Sequence, residues 1–191
     1  MTQIAANGLP LIGEEEATGE VAELYEEIKR EMGFPMVPNF MRALAVSPAA
    51  LRIHWIAYRA LLEHSTLPQS LSAMILCAIA RQNECQYCSA SHEMACLTLG
   101  IDEATLQTLV NDLPHLTPER IRTTIQFALK VAGNAKALTR QDYDNVREQG
   151  VSDEEIVEII QLASLGSSGD VLADALKVEV DQGVAEILGR N

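Results

Sequence analysis

The sequence predicts an all-α protein, and three observations carry that prediction. Apolar residues recur three and four positions apart, helix start and stop signals separate the apolar stretches, and no segment sustains the alternation of a strand. Hydrophobic residues make up 48% of the chain but aromatic residues only 4%, so the core must be largely aliphatic. Leucine, alanine and methionine, which such a core uses, are good helix formers. The length of 191 residues favours a single domain over residues 1–191.

Helix boundaries can be placed in order along the chain. Residues 1–17 carry two glycines and a proline and are predicted to form an extended arm. Thr18 then precedes an amphipathic helix that Gly33 ends, and the proline-rich FPMVPNF is predicted to be a connector. A glycine-rich break is expected at residues 166–169. The remaining predicted helices cover residues 49–62, 69–82, 88–99, 102–110, 118–132, 139–150, 152–165 and 170–178.

Charge and targeting signals narrow the class of function. The formal net charge is −13, and no Lys/Arg stripe counters it, so nucleic-acid binding is not expected. No signal peptide opens the chain, and the longest apolar stretch, residues 74–80, is too short to span a membrane. We therefore expect a soluble cytoplasmic protein without a membrane partner. In the cytoplasm its cysteines should be free thiols. A Cys-x-x-Cys motif is then more often catalytic or metal-binding than a structural disulfide.

The stretch ECQYCSASH carries the chemistry. Cys85 and Cys88 lie where a helix is predicted to begin, and the positive end of a helix dipole stabilises a thiolate there. Their spacing lets the two sulfurs close a disulfide after one of them is oxidised. His92 lies four residues beyond Cys88, on the same face of the helix, where it can accept or donate a proton. These three residues are the predicted catalytic site.

Two plainer interpretations compete with catalysis. The cysteines can simply pack as small buried residues, with His92 on the surface. A structural zinc site needs four ligands, and His115 is the only histidine after His92, so no metal or other cofactor is expected. A ligand set shared between subunits remains open. The buried-type residues Cys77 and Cys96 are predicted to belong to the core.

The chain resembles the carboxymuconolactone decarboxylase superfamily, in particular its alkyl hydroperoxidase D (AhpD)-like, peroxidase-related branch. The residues that carry the resemblance are LPQSLSAMILCAIARQNECQYCSASHEMACLTLGI, the motif core at 67–101. Segments upstream and downstream extend it, among them VPNFMRALAVSPAAL and LTRQDYDNVREQGVSDEEIVEII. The resemblance implies an AhpD-like helical bundle that assembles into homo-oligomers and reduces hydroperoxides through its dithiol.

Roles for the motif residues follow from the same resemblance. Cys88 matches the cysteine that attacks the peroxide, Cys85 its resolving partner, and His92 the histidine of the proton relay. The resulting disulfide would be reduced by an external dithiol, such as a lipoyl group or a thioredoxin-like protein.

One position departs from the family pattern. The family relay usually includes a glutamate twelve residues before the first cysteine, and this chain has Ala73 there. Alanine can neither donate nor accept a proton, so another carboxylate would have to serve. Glu84 and Glu63 are the candidates that the sequence offers.

The leading hypothesis is therefore a thiol-dependent peroxidase. Two alternatives stay open at this point. One is a superfamily-type lyase acting on a lactone, which the cysteine pair argues against. The other is a non-enzymatic helical oligomer whose dithiol senses redox state or holds a metal.

Overall fold

The structure, a computed structural model, describes residues 3–189, so the outermost residues of the predicted arm at 1–17 and of the predicted domain at 1–191 lie outside it. Over the described residues the chain is helical apart from one short hairpin and two single 3-10 turns, which confirms the all-α prediction. The strands are β1 (Gln3–Ile4) and β2 (Pro10–Leu11), and the α-helices are α1 (Gly19–Met32), α2 (Asn39–Leu44), α3 (Pro48–His64), α4 (Gln69–Gln82), α5 (Gln86–Thr98), α6 (Glu103–Asn111), α7 (Glu119–Asn134), α8 (Arg140–Glu148), α9 (Asp153–Leu176) and α10 (Gln182–Ile187).

The described chain forms two compact units. The terminal unit contains residues 3–63 and 172–189, and the mid-chain unit contains residues 64–171. The boundary between them falls within α9, which is continuous through it. The expectation of a single domain remains a prediction.

The buried residues of the terminal unit come mainly from α1, α2 and α3. The β1–β2 hairpin is antiparallel, with Gln3 opposite Leu11. The buried Tyr25 donates a hydrogen bond from its hydroxyl to the carbonyl of Ile12, 2.9 Å away, which fixes the arm against α1. The fully buried Trp55 donates its indole N–H to Glu27 at 2.9 Å. These buried polar groups are thus paired, as a stable core requires.

The mid-chain unit is organised around α4. Leu71 and every residue from 73 to 80 are buried, so this helix is apolar on all sides rather than along one stripe. A helix of that kind occupies the centre of a bundle. It packs against α5, α6 and α7. The cysteine motif follows directly at the end of α4, so the motif is attached to this buried central helix.

Several boundaries differ from the sequence prediction, and the helix α10 was not predicted. Residues 39 and 40, the last two of the predicted connector, belong to α2, which begins directly after Pro38, where a missing N–H costs nothing. The helix of the motif begins at Gln86 instead of 88. The break expected at 166–169 is absent and α9 runs through it. Glycine inside a helix costs about 1 kcal/mol relative to alanine, which packing can offset.

One helix among the described residues, α9, is long and apolar enough to cross a membrane by length and composition. Its most apolar window has a mean hydropathy of 1.3, and 39% of that window is buried inside the structure. Core helices of soluble proteins meet the same criteria, and α9 also carries Asp170, a charged residue that is buried. The helix is therefore weak support for a membrane span.

Candidate active site

A tight turn between α4 and α5 presents the cysteine pair. The N–H of Cys85 donates to the carbonyl of Ala80 at 3.0 Å, closing the end of α4. Glu84 precedes Cys85 in the left-handed region, with φ of 59°. A residue other than glycine in that region costs about 1 kcal/mol or more, and surrounding structure must hold it there. The turn therefore fixes where α5 begins, and Cys85 becomes its N-cap residue.

The two cysteines meet at this helix start. The Sγ atom of Cys85 accepts a hydrogen bond from the backbone N–H of Cys88 at 3.3 Å. Both side chains are buried, with exposed fractions of 0% for Cys85 and 6% for Cys88. Both cysteines are free thiols in this structure. The N-terminal end of a helix favours negative charge on a nearby group, which is the condition that reactive dithiols use.

A carboxylate joins the pair from α9. One oxygen of Asp170 and the Sγ atoms of Cys85 and Cys88 all lie within 4.8 Å of one another. Asp170 is only 3% exposed. Its Oδ2 atom accepts a hydrogen bond from the side-chain amide of Asn83 at 2.8 Å. The site therefore combines two thiols with one buried, oriented carboxylate.

The continuity of α9 explains how Asp170 reaches the thiols. Buried residues recur along α9 at alternating spacings of three and four, which describes a single apolar face. Gly166 lies on this face, where a Cβ atom would come within 2.8 Å of Cδ2 of Leu76 on α4. Glycine thus permits a close approach of α9 to α4, and Asp170 follows one turn later. The members of the face are Ile156, Ile159, Ala163, Gly166, Asp170 and Ala173.

Gly166→Val tests this close approach. The branched side chain must displace both Leu76 and Ile79, and overpacking of this kind lowers the free energy of unfolding by about 1–3 kcal/mol. Chemical denaturation measures the loss. Gly166→Ala is the matched control, because the far end of the Leu76 side chain can rotate away and alanine favours the helix. Equal stability of the valine variant and the wild type would show that α4 and α9 are not held together here.

The environment of Cys88 favours the protonated thiol, in contrast to the thiolate expected from its place at a helix start. A hydrogen bond with Cys85 is the main cause that raises the pKa of the Cys88 thiol, followed by burial and by the negative charge of Asp170, which also hydrogen-bonds with it. Thiolate is the nucleophilic form of cysteine. Cys88 can therefore react quickly only if a neighbouring group takes its proton.

The other predicted residues fall at different places. His92 is half-buried on α5, four residues after Cys88. Glu84 is exposed at the α4–α5 turn. Glu63 is exposed near the end of α3 in the terminal unit, with Oε1 3.5 Å from Nε of Arg59. Ala73 is buried in α4. The catalytic role of His92 and the relay roles of Glu84 and Glu63 stay predictions.

A second pair of thiols lies between α4 and α5. Cys77 and Cys96 are both fully buried, in agreement with their predicted place in the core. A hydrogen bond with Cys96, together with burial, raises the pKa of Cys77. The nearby Glu93 is also buried and forms an ion pair with Arg81. Cys88 keeps a small exposed fraction, 6%, that neither Cys77 nor Cys96 has, so a substrate can reach the pair at the helix start but not this one.

The cluster of Cys85, Cys88 and Asp170 could also hold a metal ion. It offers two sulfur ligands and one oxygen ligand, all buried, which suits a soft or borderline cation such as Zn²⁺. A closed structural zinc site would need a fourth ligand. The expectation of no metal stays a prediction.

Sequence reasoning missed Asp170. The expected break at 166–169 made it the first residue of a separate helix, where an acidic residue is ordinary. The available signal was its position: if the helix is continued through the glycines, Asp170 falls on the apolar face of α9. A charged residue on such a face is seldom buried without a partner.

Comparison with known proteins identifies the fold. No protein-family model matches the chain, and no curated protein matches it. Among solved structures, the AhpD core of an uncharacterized peroxidase-related protein from Ralstonia eutropha JMP134 matches with a TM-score of 0.86 at 22% identity, over 100% of this chain and 99% of that one. An uncharacterized peroxidase-related protein from Silicibacter sp. TM1040 matches with a TM-score of 0.78 at 24% identity, over 86% of each chain.

A third similar structure has a different activity in its name. A variant of the debrominase Bmp8, in complex with 2,3,4-tribromopyrrole, matches with a TM-score of 0.76 at 13% identity, over 89% of this chain and 90% of that one. At these identities the comparisons establish the fold. The chain has the AhpD-like helical fold.

Proposed function

We propose that this protein is a thiol-dependent peroxidase that uses Cys85 and Cys88 as a two-electron dithiol. The observation that carries the proposal is the hydrogen-bonded cysteine pair at the start of α5, with both sulfurs beside a buried carboxylate. The peroxidase-related names of the two structural neighbours support the choice of substrate. The substrate class is a hydroperoxide.

The chemistry takes two steps on the protein. The sulfur of Cys88 attacks the peroxide, forming an S–O bond as the O–O bond breaks, and releases an alcohol or water. The sulfur of Cys85 then displaces water from the sulfenic acid to give the Cys85–Cys88 disulfide. Cys88 is the attacking residue because it keeps the small exposed fraction, 6%, whereas Cys85 is fully enclosed. His92 supplies or removes protons from the same face of α5.

The disulfide must be reduced before a second turnover. We propose a dithiol donor, either a lipoyl group or a thioredoxin-like protein, acting by thiol–disulfide exchange. Such donors belong to reducing compartments, which fits a cytoplasmic location. We also propose that the protein works as a homo-oligomer, on the strength of the sequence resemblance.

The proposal is tested by peroxide consumption in the presence of several dithiol donors. Hydrogen peroxide and an organic hydroperoxide should each be consumed catalytically, with one disulfide of donor formed per peroxide. Protein whose accessible thiols have been alkylated with iodoacetamide should be inactive. Catalysis that survives complete alkylation at Cys85 and Cys88 would overturn the proposal and favour a lyase.

The debrominase neighbour suggests a parallel arm of the same assay. A dithiol delivers two electrons whether the bond that breaks is O–O or C–Br, so 2,3,4-tribromopyrrole should be offered beside the peroxides. Bromide release without peroxide consumption would show that the substrate is a brominated compound and not a hydroperoxide. The dithiol would still be the reductant. Stoichiometric zinc in freshly purified protein, with no turnover of either substrate, would favour the metal-holding alternative.

A further inference from the structure

We propose that Asp170 is the catalytic proton carrier of the dithiol, taking the proton of Cys88 and passing it to the leaving oxygen. This step rests on the proposed function, because it presumes that Cys88 attacks a hydroperoxide. The observation behind it is the mutual proximity, within 4.8 Å, of the Asp170 carboxylate and the two sulfurs. The carboxylate of Asp170 therefore lies beside the Cys88 sulfur, which is the reacting atom.

The orientation of Asp170 suits a proton acceptor. Its Oδ2 atom accepts the amide N–H of Asn83 at 2.8 Å, which holds the carboxylate in place from the end of α4. The close approach at Gly166 holds α9, and with it Asp170, against the same helix. A carboxylate held from two directions keeps its geometry through the reaction, and fixed geometry is what proton transfer within a hydrogen bond requires.

Keeping the net charge of the buried site constant favours a direct proton transfer from Cys88 to Asp170. If Cys88 lost its proton to solvent while Asp170 stayed ionised, two negative charges would face each other in a buried site. Such like-charge pairs resist double ionisation strongly. If the proton moves from Cys88 to Asp170 instead, the site holds one negative charge before and after the transfer. The new carboxylic acid then donates a hydrogen bond to the thiolate it has created.

The complete step balances. The reactants are the thiol of Cys88, ionised Asp170 and a hydroperoxide. The thiol proton goes to Asp170, the sulfur forms a bond to the terminal peroxide oxygen, and the O–O bond breaks with its electron pair leaving on the departing oxygen. Asp170 then gives its proton to that oxygen. The products are the sulfenic acid of Cys88, an alcohol or water, and ionised Asp170, ready for the next cycle.

This role also accounts for the alanine at position 73. The family pattern places a relay glutamate there, on α4, and this chain supplies a carboxylate to the same thiols from α9. Burying an aspartate has a large desolvation cost. The presence of one beside two thiols therefore indicates a role other than packing. Relocation of the relay carboxylate from α4 to α9 gives it one.

Asp170→Asn separates proton transfer from simple electrostatics, because two reactions of Cys88 should move in opposite directions. Alkylation by iodoacetamide needs only thiolate, since iodide leaves without a proton. Removing the carboxylate charge lowers the pKa of Cys88, so alkylation at Cys88 should speed up about tenfold near pH 7 for each unit the pKa falls, and its pH profile should shift to lower pH. Peroxide reduction needs a proton for the leaving oxygen, so it should slow by about 10²–10⁴-fold.

The design includes its own controls. Alkylation is mapped by peptide mass spectrometry, and continued protection of the buried Cys77 and Cys96 reports that the variant is folded. Asp174→Asn, an exposed carboxylate one turn further along α9, should alter neither reaction. Asp170→Glu keeps a carboxylate and should recover part of the peroxide rate.

The possible results distinguish failure of the proton-carrier role from failure of the proposed function. If Asp170→Asn reduces peroxide as fast as the wild type, or faster in step with its alkylation, Asp170 is only a charge beside the thiol and the proton-carrier role is overturned. If the wild-type chain itself consumes no peroxide, the proposed function fails, and the proton-carrier step fails with it. Opposite shifts of the two rates in a folded variant establish the role.

Discussion

Replacing Cys88 by serine should abolish peroxide turnover, with a loss of at least about 10³-fold. A serine hydroxyl is a far weaker acid and nucleophile than a thiol, and neither Asp170 nor His92 can ionise it to a useful extent at neutral pH. The substitution is nearly isosteric at a site that is 6% exposed, so the fold should persist. Steady-state peroxide consumption with a dithiol donor measures the loss.

A substitution in the second thiol pair is the control for this loss of turnover. Cys77→Ala removes a fully buried thiol that has no access to substrate, and it should leave turnover within about threefold of the wild type. The variant should instead have a lower free energy of unfolding than the wild type. Full activity in Cys88→Ser, or inactivity in a folded Cys77→Ala, would move the reactive thiol away from the start of α5.

Cys85→Ser should halt the enzyme after a single reaction. Cys88 can still attack one peroxide, but no neighbouring thiol resolves its sulfenic acid, so steady-state turnover should fall by at least about 10²-fold. Each chain should consume one equivalent of peroxide, and dimedone should label Cys88. Stopped-flow peroxide consumption followed by mass spectrometry measures both quantities.

Serine at position 85 should remove the sulfur without changing the start of α5. The Cys85 side chain is the N-cap of α5 and accepts the Cys88 N–H, and serine is among the residues preferred at an N-cap. The start of the helix should therefore survive, and only the resolving sulfur is lost. Sustained turnover in this variant would mean that an external thiol resolves Cys88 directly.

The sequence was a good guide wherever local signals governed the structure. The helix from Gly19 to Met32, its left-handed stop at Gly33, and the helix from Gln69 to Gln82 all follow from apolar periodicity and end signals. The pair of cysteines at a helix start was predicted for the same reason, since an N-cap is a local feature. The capping box of Ser152 and Glu155 is likewise present.

Sequence reasoning failed where distant packing decided. Glycines at 166–169 indicated a break on local propensity, yet the contact of Gly166 with Leu76 favours an unbroken helix. That contact joins residues ninety positions apart, so no local window contains it. The same error hid Asp170, because its nearness to Cys88 depends on α9 continuing past the glycines. The missing carboxylate at Ala73 was visible in the sequence, but its replacement was not.

The central claim is that Cys85 and Cys88 form the redox centre, and disulfide mapping after oxidation tests it most directly. Reduced wild-type protein is treated with one equivalent of hydroperoxide, free thiols are blocked, and the linked peptides are identified by mass spectrometry. We predict a Cys85–Cys88 disulfide in nearly every chain, with Cys77 and Cys96 recovered as free thiols. Oxidised protein in which Cys85 and Cys88 remain unlinked would contradict the account.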